Sequence, residues 1–231
     1  MFLLDPPPGF QGLREDLPLT VYERNMPHWR QDGATYFVTF RLGDSIPETK
    51  RQELAGLKAE WERRNPPPRS RVVLEEMARM VFERVEHWLD QGMGSCVLRN
   101  DEFAKSVAKS LRHFDGQRYE LGCSVVMANH VHAIVKPLQP TEIPLEDILG
   151  SWKSFTARGI NATRSESGDL WQDESYDRII RDPEHLWRAI QYIGRNPKNA
   201  GQPQESCQLW MNPKWEELGW TFEWRRSGLE S

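Results

Sequence analysis

His130 and His132 are separated by one residue, and their imidazoles could bind a metal ion together. They follow a polar break at Ala128-Asn129 between two apolar, β-branched runs, a pattern that predicts a tight hairpin. Side chains alternate between the two faces of a strand, so a strand over 130–136 would project both imidazoles to one side. Two neutral imidazole nitrogens on one face can ligate a single ion. The pair alone equally fits one packed and one solvated histidine.

Tyr192 and Asn196 are four residues apart, which places both side chains on one face of a helix. A phenol has a pKa near 10, so it needs a neighbouring cation or base to act as a nucleophile at neutral pH. The amide oxygen of Asn196 suits Mg²⁺ or Mn²⁺, and with the two histidines it would complete a three-ligand site. The alternative is that Tyr192 packs in the core and Asn196 caps the helix end.

The elements that must position these residues follow from periodicity and from turn-forming residues. Strands are expected over 35–42, 95–98, 117–127, 130–136 and 175–181, the last at a sheet edge, and helices over 47–64, 71–89, 102–114, 145–160 and 182–196. The last helix should end near Asn196, because Pro197 disfavours helical geometry in the residue before it. This order predicts an α+β fold, with one antiparallel sheet and helices packed on it.

The chain is expected to divide into three parts. Residues 1–34 are rich in proline and predict a mostly irregular lead-in, and residues 35–201 form the core domain, in which about 47–92 is a helical insertion. Residues 202–231 form a tryptophan-rich tail that contains Trp210, Trp215, Trp220 and Trp224. The tail could pack as a small cap, or its rings could stack on nucleic-acid bases.

Composition excludes several classes of protein. No apolar run reaches the roughly 20 residues of a membrane span, and the first residues lack the features of a signal peptide. Three scattered cysteines predict neither a disulfide framework nor a Cys-x-x-Cys site, so a cytoplasmic location is expected. The net charge of −4 does not indicate a nucleic-acid binder, although basic residues cluster locally.

These motifs together carry a resemblance to a known family. The stretch Val-Met-Ala-Asn-His-Val-His-Ala-Ile-Val at 126–135 is followed by Leu170-Trp171-Gln172, by Ser-Tyr-Asp-Arg at 175–178, and by Gln-Tyr-Ile-Gly-Arg-Asn-Pro-Lys at 191–198. From about residue 33 to 201 the chain resembles the single-tyrosine HUH transposases, and within them the REP-associated tyrosine transposases. The resemblance implies an HUH-endonuclease fold with a ferredoxin-like, RRM-like core.

The resemblance also implies a role for each residue of the site. His130, His132 and Asn196 would hold Mg²⁺ or Mn²⁺, and Tyr192 would attack single-stranded DNA to leave a 5′-phosphotyrosine link and a free 3′-hydroxyl. Tyr176 is the rival nucleophile, because it too follows the Trp-Gln segment. The substrate would be single-stranded or hairpin DNA, such as a repetitive palindrome, and the protein would act as a monomer or a homodimer. Candidate contacts to the DNA backbone are Lys105, Lys109, Lys153, Arg158, Arg178 and Arg195.

Two features depart from the compact family pattern, namely the helical insertion and the acidic net charge. The insertion bears on how substrate docks, and the charge predicts weak, salt-sensitive non-specific binding. Three alternatives stay open: a metal-dependent phosphodiesterase that uses water, a catalytically silent hairpin-binding protein domesticated from a transposase, and a structural domain with histidines in its core.

Overall fold

A five-stranded antiparallel sheet forms the centre of the computed structural model, which describes residues 4–24 and 26–223. Its strands lie in the order β6-β3-β5-β4-β7, and a separate hairpin, β1-β2, precedes them. The strands are β1 (Thr20–Glu23), β2 (Pro27–Arg30), β3 (Tyr36–Arg41), β4 (Tyr119–Val126), β5 (His130–Pro137), β6 (Tyr176–Ile179) and β7 (Gln208–Met211). Without β7, the sheet has the fourth-first-third-second order of a ferredoxin-like core, which confirms the predicted fold class.

Six α-helices connect or cover these strands in the described chain. They are α1 (Glu48–Arg64), α2 (Arg71–Asp90), α3 (Asp101–Arg112), α4 (Leu145–Arg164), α5 (Pro183–Asn199) and α6 (Pro213–Glu216). The side chains of Ser70, Asn100 and Asp182 cap α2, α3 and α5 by accepting hydrogen bonds from first-turn N–H groups. Within the described ranges, no helix is both long enough and apolar enough to cross a membrane.

The sheet separates two hydrophobic cores, because alternate residues of each strand point to opposite faces. On one face, Val38 and Val131 pack with α3 and α4 through residues such as Leu111 and Trp152. On the other face, Phe37 and Ile134 pack with α5 and with the chain that follows it. His130 and His132 alternate with Val131 and Ala133, so both imidazoles belong to the α5 face.

Two local predictions were wrong, and one element was not predicted. Segment 1–34 contains an antiparallel hairpin of β1 and β2, which short strands without a long apolar run do not reveal. Residues Val97–Arg99 form a 3₁₀ turn rather than the predicted strand. Helix α5 continues through Pro197 to Asn199, since a proline so close to a helix end displaces few intrahelical hydrogen bonds.

The described residues of the tail beyond residue 201 pack on the core domain. Strand β7 pairs with β4, and Trp215, Trp220 and Phe222 lie in the α5-face core. The aromatic rings approach the backbone closely: a Cβ at Gly122 would lie 2.3 Å from the Trp215 ring, and one at Gly194 would lie 2.5 Å from Phe222. Packing therefore accounts for these tail aromatics, while Trp224 lies outside the described residues.

Candidate active site

The β4-β5 hairpin places His130 and His132 side by side at the centre of the sheet. Both side chains are buried, with 1% and 0% exposure, and their ring centroids lie 4.6 Å apart. The backbone N–H of Met127 donates to the carbonyl of His130 across the turn at 2.9 Å. The Thr39 hydroxyl on the neighbouring strand lies 2.7 Å from His132 Nδ1. The ring of His132 is thus oriented by a contact behind it, a feature common to metal-ligating histidines.

Asn129 fixes the proton on His130. Its amide nitrogen lies 3.2 Å from the carbonyl oxygens of both Leu89 and Met93, to which it donates. The amide oxygen must therefore face His130 Nδ1, 2.8 Å away, and Nδ1 is the donor. Burial, followed by the proximity of His132, lowers the pKa of His130 to about 3. The ring is neutral at physiological pH, so its Nε2 presents a lone pair.

Asn196 lies directly against both histidines from helix α5. Its Oδ1 is 3.2 Å from His130 Nε2, and its Nδ2 is 3.2 Å from His132 Nε2. The side chain is fully buried. Nε2 of neutral His130 and Oδ1 of Asn196 each carry a lone pair, and both could ligate one cation.

Glu86 is the functional residue that the sequence interpretation missed. Helix α2 carries it to the cluster, where its Oε2 lies 3.2 Å from His132 Nε2. Its other oxygen is buried without a hydrogen-bond partner among the described residues. Burial opposes ionisation of Glu86, but His132, His130 and Tyr192 together outweigh that effect, and the pKa of the carboxyl falls below its usual range. A signal existed: Glu86 stands between Phe82 and Leu89 at helical spacing, a charge within an apolar stripe.

Glu86, His130 and His132 together form a buried cluster that could hold a metal ion. One ligand atom from each residue lies within 4.8 Å of the other two. Two imidazole nitrogens and a carboxylate oxygen suit several divalent metals, and Asn196 offers a further oxygen. The cluster joins α2, β5 and α5, so it requires the tertiary fold.

Tyr192 contacts this cluster through its hydroxyl, which donates a hydrogen bond to Glu86 Oε2. Its ring packs against Phe37 and His132 at centroid distances of 5.8 and 5.4 Å. Burial and then the Glu86 charge raise the pKa of Tyr192 far above its ordinary value. The phenol is therefore held neutral, with its proton directed at a carboxylate.

Tyr176, the rival nucleophile, lies in edge strand β6. Its ring stacks on Phe82 with centroids 4.3 Å apart, and burial raises its pKa to about 12. Unlike Tyr192, it makes no hydrogen bond to Glu86, His130 or His132 in the described chain. Tyr176 therefore lines the approach to the cluster, and Tyr192 is the tyrosine in contact with it.

The six basic residues predicted to contact DNA do not form one surface. Helices α3 and α4, on the face opposite the cluster, carry four of them: Lys105, Lys109, Lys153 and Arg158. Lys105 pairs with Asp101 at 2.5 Å, and Lys153 donates to the carbonyl oxygens of Gln172 and Asp173. Burial lowers the pKa of Lys153 to about 8. Arg178 lies on β6 beside Tyr176, and exposed Arg195 on α5 pairs with Glu223.

Comparisons with known proteins give similarities to solved structures. No protein-family model matches the chain, and no curated protein matches it. A solved structure of a REP-associated tyrosine transposase bound to a REP hairpin is similar over 79% of this chain and 75% of that chain, with 15% identity and a TM-score of 0.39. A similarity of this size assigns no residue and no reaction to this chain, and the fold stands on its own strand order and helix packing.

Proposed function

We propose that this chain is a metal-dependent transposase or endonuclease of single-stranded DNA in which Tyr192 is the nucleophile. The observation that carries the proposal is the hydrogen bond from Tyr192 to Glu86, inside the cluster that contains His130 and His132. A proposed nucleophile, a proton acceptor and a set of potential metal ligands thus lie together in one buried cluster. These groups come from one chain, which makes a monomer sufficient for cleavage, and a homodimer is compatible with it.

The proposed step exchanges one phosphate ester for another. The Tyr192 oxygen bonds to phosphorus, the bond between phosphorus and the 3′ oxygen of the preceding nucleotide breaks, and the products are a 5′-phosphotyrosine and a free 3′ end. Glu86 takes the phenolic proton along the existing hydrogen bond, and that proton can then pass to the departing 3′ oxygen. Attack of another 3′-hydroxyl reverses the step and rejoins DNA without ATP.

The proposed ion is Mg²⁺ or Mn²⁺, held by His130, His132 and Asn196, with Glu86 as an additional donor. When bound, it would polarise the phosphate and stabilise its developing charge. The proposed substrate is a hairpin-forming repeat, with Arg178 and Arg195 contacting its backbone on the cluster face. Lys105, Lys109, Lys153 and Arg158 would meet only DNA that reaches the opposite face. The three cysteines are free and buried, which agrees with action in the cytoplasm.

One observation favours a second candidate, a phosphodiesterase that uses water. Glu86 both raises the pKa of Tyr192 and accepts its hydrogen bond, and the same carboxylate could instead activate a metal-bound water. This candidate predicts multiple turnover, no covalent adduct, and cleavage that survives Tyr192→Phe.

A covalent-trapping assay tests the proposal. Single-stranded hairpin DNA of several sequences is incubated with the protein and Mn²⁺ or Mg²⁺, and the mixture is run on a denaturing gel. Tyr192→Phe is compared with the matched variant Tyr176→Phe, which removes the other hydroxyl near the cluster. We expect a DNA-linked band that disappears with Tyr192→Phe and with chelator, and that survives Tyr176→Phe.

The other outcomes overturn the proposal in distinguishable ways. Loss of the band with Tyr176→Phe alone would identify Tyr176, on β6, as the nucleophile. Metal-dependent cleavage without an adduct would select the water mechanism. Hairpin binding with neither cleavage nor adduct would select the catalytically silent DNA-binding protein.

A further inference from the structure

A cavity of about 340 Å³ opens beside the candidate metal cluster, between the α1-α2 pair and the β3-β6 edge of the sheet. Glu86 and Thr39, which contact the cluster histidines, form part of its wall. Its volume lies within the range of small-molecule binding sites. The insertion between β3 and α3 supplies much of the lining, so the cavity exists because this chain contains those two helices.

Arg41 gives this cavity its anion-binding character. It is the cross-strand partner of His130, so its side chain leaves the sheet on the cluster face, next to the proposed metal ligand. Its guanidinium donates to the Ser45 hydroxyl at 3.2 Å and forms no ion pair with a carboxylate of the described residues. Burial and then the nearby Arg51 lower the pKa of Arg41 to about 10. A half-buried cation beside a second cation favours a bound anion.

The remaining charges leave the cavity positive. Arg51 and Lys58 from α1 join Arg41 there, whereas the acidic groups are Glu86 and Glu174. Glu174 accepts from His28 at 2.8 Å, and Glu86 already faces His132 and Tyr192. Both carboxylates therefore have partners of their own, while Arg41 donates to a neutral hydroxyl and pairs with no carboxylate of the described residues. Arg51 pairs with Glu48 near the surface at 2.8 Å, an exposed contact of small energy.

Apolar and aromatic side chains form the rest of the lining. Leu54 and Val85 come from the two inserted helices, and Phe82, which stacks on Tyr176, also packs against Tyr192. Apolar and aromatic side chains together with a pair of arginines match the two chemical halves of a nucleotide, a flat base and a phosphate.

We propose that this cavity binds one nucleotide of single-stranded DNA next to the scissile phosphate, with Arg41 and Arg51 on its phosphate and its base against Leu54, Phe82 and Val85. This inference rests on the proposed function, because the position of the nucleotide next to the scissile phosphate follows from Glu86, which lines the cavity and belongs to the proposed catalytic cluster. It gives the insertion a role in positioning the strand, and it makes Arg41 a substrate-binding residue.

Binding without metal tests the cavity separately from catalysis. A fluorescein-labelled random single-stranded 12-mer is titrated in EDTA, with anisotropy as the readout, against Arg41→Gln and Ala55→Trp. Ala55 is exposed and lines the cavity, so a tryptophan there obstructs it without removing a charge or a core residue. The matched control is Arg63→Gln, an exposed arginine of α1 outside the cavity that pairs with Glu60 at 3.5 Å.

We expect Arg41→Gln and Ala55→Trp each to weaken binding about tenfold, and Arg63→Gln to change it less than about twofold. Loss of one phosphate contact should also reduce the salt dependence of binding by about 0.7 in the log–log slope for Arg41→Gln. A 12-mer with abasic sites should bind less tightly to the wild-type protein, with little further loss when Ala55→Trp is added. If Arg41→Gln fails to fold, the binding affinity of Ala55→Trp alone tests the cavity proposal.

The two proposals fail in different ways. Wild-type affinity in both Arg41→Gln and Ala55→Trp, or no 12-mer binding by the wild-type protein, overturns the cavity proposal, even if a Tyr192 adduct still forms. If Arg41→Gln and Ala55→Trp both weaken binding but the protein forms no covalent adduct with DNA, the cavity proposal is supported and the tyrosine mechanism is overturned.

Discussion

Two regions of this molecule bury a histidine near carboxylates, on opposite faces of the same sheet, and their charge balance differs. On the α4 face, His28 lies 2.5 Å from Asp177 and 2.8 Å from Glu174, while Arg30 pairs with Asp177 at 2.6 Å. On the α5 face, His130 and His132 share the single carboxylate Glu86 with Tyr192.

The charged and polar groups of the first region are fully paired, and those of the second region are not. Although burial opposes protonation of His28, its two acidic partners raise its pKa to about 9, so each charge of the ionic cluster meets an opposite one. In the metal-capable cluster, burial lowers the pKa of His130, and one oxygen of Glu86 lacks a hydrogen-bond partner among the described residues. Complete pairing indicates a structural clamp that holds the β1-β2 hairpin against β6, and incomplete pairing indicates a binding site.

The largest expected effect is on the clamp. Asp177→Asn leaves His28 and Arg30 buried without their shared carboxylate, and we expect the free energy of unfolding to fall by about 3–5 kcal/mol. Urea denaturation measures the change. Asp173→Asn is the matched control, because Asp173 forms an exposed pair with Arg24 at 3.3 Å and should contribute no more than about 1 kcal/mol. Equal losses in the two variants would remove the distinction between the clamp and an ordinary surface pair.

The next effect is a pH dependence confined to the clamp. The pKa of His28 is raised in the folded state, from 6.5 to about 9, so the folded state binds its proton more tightly than the unfolded state. The resulting stability is fully present below pH 6.5 and is lost as pH rises through about 9. Its upper bound is about 3 kcal/mol. We expect His28→Gln to remove this alkaline slope from urea denaturation curves, and an unchanged slope would contradict the assignment.

The smallest change in stability is expected for a substitution in the metal-capable cluster, which should instead change the affinity for metal. Glu86→Gln removes a buried charge with an unpaired oxygen and retains an acceptor for Tyr192, so we expect stability to change by about 1 kcal/mol or less. Affinity for Mn²⁺, measured by calorimetry, should fall about 10- to 100-fold. Glu83→Gln, an exposed neighbour on the same helix, should change neither quantity. A large loss of stability with unchanged metal affinity would make Glu86 a structural residue.

The sequence specifies local geometry well and distant contacts poorly. The period of a strand placed His130 and His132 on one face, and the period of a helix placed Tyr192 beside Asn196. Neither period indicates which other element packs beside these residues. Glu86 lies 44 positions before His130, so the sequence could not assign it to the site, although its interruption of an apolar stripe was visible. The β1-β2 hairpin was missed for the same reason, because its clamp depends on Asp177 and Glu174 in a distant segment.

The amide of Asn129 has a consequence for how the site responds to its ligands. That one side chain is bonded at one end to His130 and at the other to Leu89 and Met93, at the end of the helix that carries Glu86. A shift of α2 caused by the proposed ligand beside α1 and α2 would therefore reach the orientation of an imidazole. Thermodynamic linkage makes such coupling reciprocal: whatever factor the proposed nucleotide would impose on metal affinity, the metal would impose on affinity for the nucleotide.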